Sequence, residues 1–291
     1  MDITVILPCF NAAKTISAQL DALSEADCSE SWELLIVDNG STDSTLEVVK
    51  KYQQSFQYLE IIEALDKKGS GYVRNVGVNH AKASKILFCD ADDRVSENWL
   101  KVMSAALDSH EFIAGGLTLE HINELWRVPK QTPFGTKDKP QEDVFSSRFD
   151  PDIRYAPACN MGIRKNVHVA VGGFDESIPF NVDYDYCWKV SLAGYRLTFI
   201  SEGLIEYRLR HDLKGTYKQR YNWGKWGVFI YRKHIGKGKL IDRAKFILGG
   251  WRHLPALILK VRCKSDVFEL IAWMGGRMGE VDGCCRFLIS D

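Results

Sequence analysis

Short apolar runs recur through the first third of the chain, and each ends in turn-forming or acidic residues. Such runs are typical of strands buried on both faces of a parallel sheet. They occupy residues 3–7, 33–37, 58–62 and 86–89. Pro8 follows the first run directly, so we expect it to end that strand.

Segments with helical spacing separate these runs. Residues 16–23 carry apolar side chains at helical spacing, Ser44 and Glu47 have capping-box spacing, and a third helix should carry Arg74. The order β-α-β-α-β-α-β predicts an α/β fold with a doubly wound, mostly parallel sheet. No GxGxxG sequence follows the first strand, which argues against a dinucleotide-dependent dehydrogenase.

Three acids, Asp90, Asp92 and Asp93, follow the fourth run within four positions. In an open α/β sheet, ligands bind outside the carboxyl ends of the strands. Crowded carboxylates repel one another, and Mg²⁺ or Mn²⁺ bound through oxygen ligands would relieve that repulsion. A helix cap is the alternative, because Asp is favoured there for backbone reasons alone. These residues by themselves do not decide between the two.

Charge is unevenly distributed, although the chain contains 38 basic and 38 acidic residues. Residues 207–264 contain 16 Lys or Arg and two Asp, with aromatic residues interleaved. An anionic partner, such as a membrane surface, phosphates or nucleic acid, would explain this excess. A solvated helical face is the alternative. Binding of nucleic acid would not explain the three acids after the fourth apolar run, so we expect no nucleic-acid partner.

The C-terminal part also shows helical apolar spacing. Apolar residues from Ile247 to Val261 lie three or four positions apart, Pro255 should kink or divide this helix, and residues 267–273 predict another short helix. A basic amphipathic helix suits an anionic membrane interface, whereas packing on the catalytic domain is the alternative. No uncharged apolar stretch approaches the ~18 residues of a membrane span. We therefore expect a soluble catalytic body.

The eight cysteines form no CxxC pair and no zinc-like spacing. Three of them lie in apolar or aromatic runs, where a thiol packs as a small hydrophobe. This use of cysteine, together with the absence of a basic stretch at the N-terminus, predicts a cytoplasmic protein that could be peripheral on the cytoplasmic face of a membrane.

Seven short motifs together resemble the non-processive, bacterial-type family 2 glycosyltransferases, which share the GT-A fold. The motifs occur in the family's order, and the resemblance covers about residues 3–211. They lie at residues 5–11, 35–43, 74–77, 88–93, 160–164, 172–176 and 183–185. Each motif alone is weak, but independent chance matches multiply.

The resemblance implies two domains. A GT-A catalytic domain spans residues 1–212, with a nucleotide-sugar half at about 1–95 and an acceptor half at about 96–212. A basic, aromatic-rich helical region follows at residues 213–291.

The resemblance also assigns nucleotide-sugar and metal residues. Asp38 is placed at the nucleotide base with Arg74 as its neighbour, although Asp38 could instead shape its own turn. Asp92 is assigned to Mn²⁺ or Mg²⁺, and Asp90 to the ribose or the metal. His211 is a further candidate ligand, with solvent exposure as the alternative. The complete nucleotide-sugar set is Pro8, Asn11, Asp38, Arg74, Asp90 and Ala91.

Asp183 matches the carboxylate that serves the family as the catalytic base. Inverting transfer needs one carboxylate to deprotonate the acceptor hydroxyl, and capping of a helix is the alternative role for Asp183. Val182 stands where the family usually has Glu, and Lys189 where Arg is commoner. The acceptor side is assigned to Asn160, Gly173, Phe174 and Asp185, although Phe174 could be purely structural and Asp185 could brace its helix.

These assignments imply an inverting, metal-dependent glycosyltransferase. It would move one sugar from a nucleotide diphosphate sugar, with UDP favoured, to a carbohydrate or lipid-linked saccharide. The QxxRW motif of processive synthases is absent, which favours single-sugar transfer. A catalytically inactive nucleotide-sugar-binding partner in a glycan assembly complex is the alternative, motivated by Val182.

Overall fold

A computed structural model describes residues 1–119, 121–129, 134–135, 141–146, 152–236 and 249–289. The chain divides into two compact units. The first comprises Met1–Ile122, Pro133–Ser147 and Pro151–Arg208, and the second comprises Asn123–Thr132, Arg148–Asp150 and Leu209–Asp291. Among the helices of the described residues, none is long and apolar enough to cross a membrane.

The first unit contains a mixed, mostly parallel sheet flanked by helices. Its eight strands lie in the order β3-β2-β1-β4-β9-β6-β10-β5. Strands β9 and β5 pair antiparallel with their neighbours, whereas the other pairings are parallel. The predicted doubly wound fold is thus confirmed. The strands of this sheet are β1 Ile3–Cys9, β2 Trp32–Asp38, β3 Leu59–Glu63, β4 Lys85–Cys89, β5 Arg94–Val95, β6 Phe112–Thr118, β9 Asn160–Arg164 and β10 Leu197–Glu206. The short strands β7 Phe145–Ser146 and β8 Arg154–Tyr155 pair with each other in a separate two-stranded sheet.

Two hydrophobic clusters cover the two faces of this sheet. Successive side chains of a strand point to opposite faces. In β1, Ile3, Val5 and Leu7 face one cluster with α1 and α4, and Ile6 faces the other with α3 and α6. The helices of this unit are α1 Ile16–Ser24, α2 Thr45–Lys51, α3 Ser70–His80, α4 Trp99–Ser109, α5 Lys165–Ala170 and α6 Val182–Leu192.

Two local expectations in this unit were wrong. Strand β1 runs through Pro8 to Cys9, because its pairing with β4 stops at Ile6 and the missing N–H of Pro8 therefore costs no bond on that side. Ser44 occupies the N-cap position of α2 without a side-chain cap bond. The Asp43 carboxylate instead accepts from the backbone N–H of Thr45 at 3.1 Å.

The second unit is built around two long helices, α7 Leu213–Ile235 and α9 Lys264–Ile289, with the short helix α8 Leu254–Lys260 between them. Pro255 lies in the first turn of α8, where proline starts a helix and does not kink one. The predicted helix at residues 267–273 is part of α9. Ile247, the first residue of the predicted apolar face, lies outside the described residues.

Glycines allow α7 and α9 to approach closely. A Cβ added to Gly279 would lie 1.9 Å from the carbonyl oxygen of Tyr221, and one added to Gly224 would lie 2.2 Å from that of Gly276. Both distances are below any real Cβ contact, so glycine is required at these two positions.

An ionic cluster joins the same two helices. The carboxylate of Asp282 accepts from the Tyr221 hydroxyl at 2.8 Å and lies 2.9 Å from both the Lys225 amine and the Arg286 guanidinium. Burial by itself would raise the pKa of Asp282, but these donors lower the pKa to about 2. The cluster therefore stays ionised at neutral pH.

Gly279→Ala should destabilise the second unit by about 1–3 kcal/mol, because the added methyl group overpacks the helix contact. Gly276→Ala is the matched control on the same helix, since its Cβ would meet nothing closer than 4.0 Å. That control should be neutral or gain up to ~1 kcal/mol of helix propensity. Denaturant unfolding of both variants measures the difference, and equal stability would contradict the close contact.

Candidate active site

The carboxyl ends of β1, β2 and β4 lie side by side at one edge of the sheet, and α3 brings a buried arginine to them. The guanidinium of Arg74 forms an ion pair with Asp90 and donates to the carbonyl oxygen of Ser70 at 3.3 Å. The same guanidinium lies 5.9 Å from the ring centroid of Phe174. Arg74 therefore neutralises one of the acids predicted to bind a nucleotide sugar.

The three acids after β4 occupy different environments. Asp90 and Asp92 are partly exposed, whereas Asp93 is buried. One oxygen of Asp93 accepts from the backbone N–H of Arg208 at 2.8 Å. Burial, followed by the neighbouring charges of Asp92 and Asp90, raises the pKa of Asp93 well above its usual range. The three carboxylates are therefore close enough to repel one another.

This cluster fits a hard divalent cation. Ligand atoms of Asp90, Asp93 and Cys159 lie within 4.8 Å of one another. In the described part of the chain, no N–H or O–H group donates to the buried Oδ2 of Asp93. Carboxylate oxygens suit Mg²⁺ and Mn²⁺. Burial raises the pKa of the Cys159 thiol, so it stays protonated and packs beside the cluster as a neutral group.

The resemblance assigned Asp92 and Asp90 to the metal but gave no role there to Asp93 or Arg208. Asp93 was considered together with its two neighbouring acids, as part of a cation site or a helix cap. Its burial depends on the end of β10, which the sequence places more than 100 residues away. Arg208 also donates from Nε to the carbonyl oxygen of Asp92 at 2.6 Å, so a residue just after the end of β10 holds the acidic loop in place.

Asp183 lies in the first turn of α6 and belongs to the same electrostatic neighbourhood. Burial raises the pKa of Asp183, the positive charge of Arg74 lowers it, and the negative charge of Asp90 raises it further. Its oxygens accept from the backbone N–H groups of Tyr184 at 2.9 Å and Ala158 at 3.3 Å. The N-cap position of α6 is taken by Asn181, so Asp183 is not the N-cap of this helix.

The buried thiol of Cys159 lies close to Asp90 and Asp93 and is affected by the charges of this group. Burial raises its pKa first, and the charges of Asp93, Asp90 and Asp183 raise it further while Arg74 acts in the opposite direction. Side chains from α3, the β4 end and α6 thus converge on one place.

Val182, the departure from the family pattern, has a packing explanation. It is buried in the hydrophobic cluster on the α6 side of the sheet. A Cβ added to Gly71 of α3 would lie 2.8 Å from Cγ2 of Val182. A glutamate at this position would bury a carboxylate among apolar side chains, which is costly without a partner.

Asp38 shapes its own turn. Its oxygens accept from the backbone N–H groups of Gly40 and Ser41 at 2.9 Å each, from the Ser41 hydroxyl, and from the Cys9 thiol at 3.5 Å. The turn-forming alternative is therefore realised. Its contact with a nucleotide base stays a prediction.

The other residues of the first two motifs join the loops after β1 and β2. The side-chain oxygen of Asn11 accepts from the backbone N–H of Thr42 at 2.8 Å. The backbone N–H of Asn11 donates to Ser41 Oγ at 2.9 Å. Pro8 is partly exposed at the end of β1, and Ala91 is buried in the acidic loop. These loops form a fixed rim beside Asp38.

An exposed aromatic ring on this rim was not assigned from the sequence. Phe10 is exposed, and the Lys68 amine lies 5.4 Å from its ring centroid while donating to the carbonyl oxygen of Asn39. An exposed aromatic residue directly after a buried strand is a signal that could have identified it.

Asn160 and Phe174, predicted to line the acceptor side, lie in the interior. The Asn160 amide accepts from Trp99 Nε1 and donates to the carbonyl oxygens of Gly116 and Gly203, each at 2.8 Å. The polar atoms of the Asn160 amide are therefore satisfied inside the core, and its acceptor-side role stays a prediction.

Phe174 supports Arg74 from beneath. Its ring stacks on Tyr186 at 3.9 Å between centroids. The Tyr186 hydroxyl in turn lies 2.7 Å from Nδ1 of His168, which is also buried. Phe174 therefore has a structural role, as the alternative expected, and its acceptor-side role stays a prediction. Asp185 is likewise buried in α6, where its backbone N–H donates to the Asn181 carbonyl oxygen at 3.2 Å.

Gly173 turns the chain towards this stack. Its φ of +63° lies in the left-handed region, and an added Cβ would lie 2.7 Å from Oδ1 of Asn75. Asn75 holds the segment by bonding both the N–H and the carbonyl oxygen of Phe174 at 2.9 Å. Lys189 donates to the Gly173 carbonyl oxygen at 2.6 Å, which gives this lysine a positioning role.

His211 belongs to the second unit and is exposed. Its Nε2 lies 3.4 Å from Oδ2 of Asp212, which caps α7 by accepting from the Gly215 N–H. Its role as a metal ligand stays a prediction.

The chain is similar in sequence to known glycosyltransferases. The chain is 26% identical over 288 residues to glycosyltransferase AglE of Haloferax volcanii, covering 98% of this chain and 92% of that protein. It is 33% identical over 213 residues to the poly(ribitol-phosphate) beta-N-acetylglucosaminyltransferase TarS of Staphylococcus aureus. That match covers 73% of this chain but only 36% of TarS.

Solved structures show the same fold. Mannosyltransferase PcManGT from Pyrobaculum calidifontis, in complex with GDP-Man and Mn²⁺, matches with a TM-score of 0.68 at 17% identity over 99% of this chain and 87% of that one. TarS 1-349 of S. aureus in complex with UDP-GlcNAc matches with a TM-score of 0.58 at 18% identity over 99% of this chain and 92% of that one.

The family model described as "Glycosyl transferase family 2" matches residues 4–172, which is more than half of the chain and includes the first six of the seven motifs wholly or in part. The chain therefore belongs to glycosyl transferase family 2 and has the GT-A fold.

Proposed function

We propose that this protein is an inverting glycosyltransferase that moves a single sugar from a nucleotide diphosphate sugar to a hydroxyl of a carbohydrate or lipid-linked saccharide. The shared location of three groups supports the proposal. Arg74 pairs with Asp90 at the expected diphosphate position, Asp90 lies in one cluster with Cys159, and the candidate base Asp183 accepts from the N–H of Ala158 next to Cys159. A leaving-group site and a proton acceptor therefore share one neighbourhood, as displacement at an anomeric carbon requires.

The acidic loop would hold Mn²⁺ or Mg²⁺. Asp92 and Asp90 are the proposed ligands, and the structure adds Asp93, whose buried oxygen faces the same cluster. When bound, the ion would stabilise the negative charge that develops on the departing nucleoside diphosphate. Arg208 would keep the loop in place through its bonds to Asp92 and Asp93.

Asp183 would accept the proton of the attacking hydroxyl. The carboxylate must be ionised to do so, and the neighbouring guanidinium of Arg74 favours the ionised form. Its location in the first turn of α6 adds the favourable partial charge of a helix N-terminus.

The donor would lie across the rim formed by the loops after β1 and β2. The exposed ring of Phe10 offers a stacking surface for a base, and Asp38 and Asn11 lie on the neighbouring loops. A UDP-sugar is the first donor to test, because TarS was solved with UDP-GlcNAc. A GDP-sugar is the second, because PcManGT was solved with GDP-Man.

A catalytically inactive binding partner is less well supported. That alternative was motivated by Val182, and the buried contact of Val182 with Gly71 accounts for the substitution without loss of the base.

We also propose that the basic second unit contacts an anionic membrane surface from the cytoplasmic side.

Asp183→Asn should lower transfer by about 100- to 10,000-fold, because the amide cannot accept the hydroxyl proton. Donor binding, measured by calorimetric titration, should change little. Asp27→Asn, at an exposed position paired with Lys101, is the matched control and should keep full activity. Release of nucleoside diphosphate at the wild-type rate by Asp183→Asn would exclude this base assignment.

Activity should also fall on the acid side at a pH above that expected for an ordinary aspartate. The raised pKa of Asp183 means that its basic form is lost as pH falls through this raised value, which exceeds the usual ~3.9. Arg74→Gln removes a charge that lowers this pKa, so the acid limb of kcat/KM should move to higher pH. Arg164→Gln, which removes a guanidinium paired with Asp108, is the control. An unmoved limb in Arg74→Gln would argue against the coupling.

Chelation should abolish transfer, and added Mn²⁺ should restore it. Asp92→Asn should weaken Mn²⁺ binding to the full chain by about tenfold or more, measured by the spin-resonance signal of the free ion. Asp66→Asn, an exposed acid beside Tyr72, is the control. Transfer that survives exhaustive chelation would contradict metal dependence.

A further inference from the structure

The short helix α8 exposes apolar side chains. Its seven residues include Leu254, Leu257, Ile258 and Leu259, and no residue of α8 is buried within the described part of the chain. Ile258 is 53% and Leu259 is 71% exposed. Helices shorter than about 12 residues are marginal in water without a packed apolar face. An apolar environment outside the described residues would therefore stabilise α8.

A second exposed apolar element belongs to the same unit. Leu125 is 80% exposed and Trp126 is 42% exposed, both in a 3-10 helix at Leu125–Arg127. This element borders a cavity of about 410 Å³ next to the start of α9. The cavity is lined by Leu125, Trp126, Val128, Cys263, Lys264 and Ser265.

Exposed cations accompany these apolar side chains. They are Arg252, Lys260, Arg262 and Lys264. The sequence contains no Asp or Glu between residues 249 and 265. The first acid beyond, Asp266, accepts from the backbone N–H groups of Arg262 at 2.8 Å and Cys263 at 3.0 Å. Residues 249–266 therefore carry four Lys or Arg side chains and one acid, an excess of positive charge that complements an anionic surface.

Two basic side chains of this unit also lie close to aromatic rings. The Lys264 amine lies 5.8 Å from the ring centroid of Trp126, and the Arg127 guanidinium lies 5.2 Å from that of Phe268. Aromatic rings beside Lys and Arg are typical of surfaces that sit at the boundary between lipid headgroups and acyl chains.

We propose that the α8 surface, consisting of Leu125, Trp126, Ile258 and Leu259 with the four cations, docks on an anionic phospholipid bilayer. It deepens the membrane contact proposed above by naming the contacting residues and the lipid charge, and it does not depend on glycosyl transfer. Protein interfaces are depleted in Lys, and a two-fold contact between copies would bring these cations together. Anionic headgroups are complementary to the cations, and acyl chains accept the apolar side chains.

Flotation of the full chain with phosphatidylcholine vesicles, with and without phosphatidylglycerol, tests this proposal. The wild-type protein should float with the anionic vesicles, and added salt should weaken the binding. Leu259→Glu should reduce partitioning about tenfold or more, because it removes an exposed apolar side chain that would insert into the bilayer and adds a negative charge that the anionic headgroups repel. Lys260→Glu should reduce it about fivefold or more.

Matched controls lie in the first unit. Leu192→Glu alters a leucine that is 66% exposed at the end of α6, and Lys51→Glu alters an exposed lysine in α2. Both should float like the wild type, and circular dichroism of every variant should be unchanged. Nucleoside diphosphate release by Leu259→Glu without vesicles should equal the wild-type rate, which separates loss of docking from failure of the transferase function.

Three results would overturn the proposal. The first is wild-type flotation by Leu259→Glu. The second is equal binding to neutral and anionic vesicles. The third is a concentration-dependent dimer that Leu259→Glu abolishes, because it would assign the α8 surface to a second copy of this chain.

Discussion

The guanidinium of Arg74 is a buried positive charge beside the acids of the candidate site, and it pairs with Asp90. Carboxylates from the β4 end and from α6 repel one another when they are brought together, and burial strengthens that repulsion. A planar, permanently charged side chain offsets it without being neutralised itself. Its position depends in turn on the ring of Phe174 below it. The charge balance at the sheet edge therefore depends on how the side chains behind the sheet pack.

The surroundings of Asp93 and Asp183 suit these two acids to different roles. Asp93 is buried beside two other carboxylates, which favours either a proton or a cation there. Asp183 is also desolvated, but the charge of Arg74 opposes the effect of burial. One edge of the sheet can thus offer an anionic site for a cation and a separate carboxylate for proton transfer. The proposed chemistry needs both.

Much of the first unit was predictable because its signals are local. Buried parallel strands and amphipathic helices have different apolar periods, so the strand–helix order could be predicted from short segments. The antiparallel strand β9 was not predicted, because pairing direction depends on partners distant in the chain. The close approach of α7 and α9 at Gly279 was not predicted either. A glycine within a helical segment usually indicates low helix propensity, and the sequence does not show that it is needed for a contact between two helices.

The sequence by itself determined the α/β class and the acids after β4, because both depend on residue type and order, and its resemblance to a known family proposed Asp183 as the candidate base. Only the tertiary structure decided which side chains face the site. It moved Asn160 and Phe174 into the core, brought Asp93 and Arg208 to the acidic loop, and left the α8 surface exposed. Burial and charge pairing arise between segments far apart in the chain, and no local pattern encodes those distances.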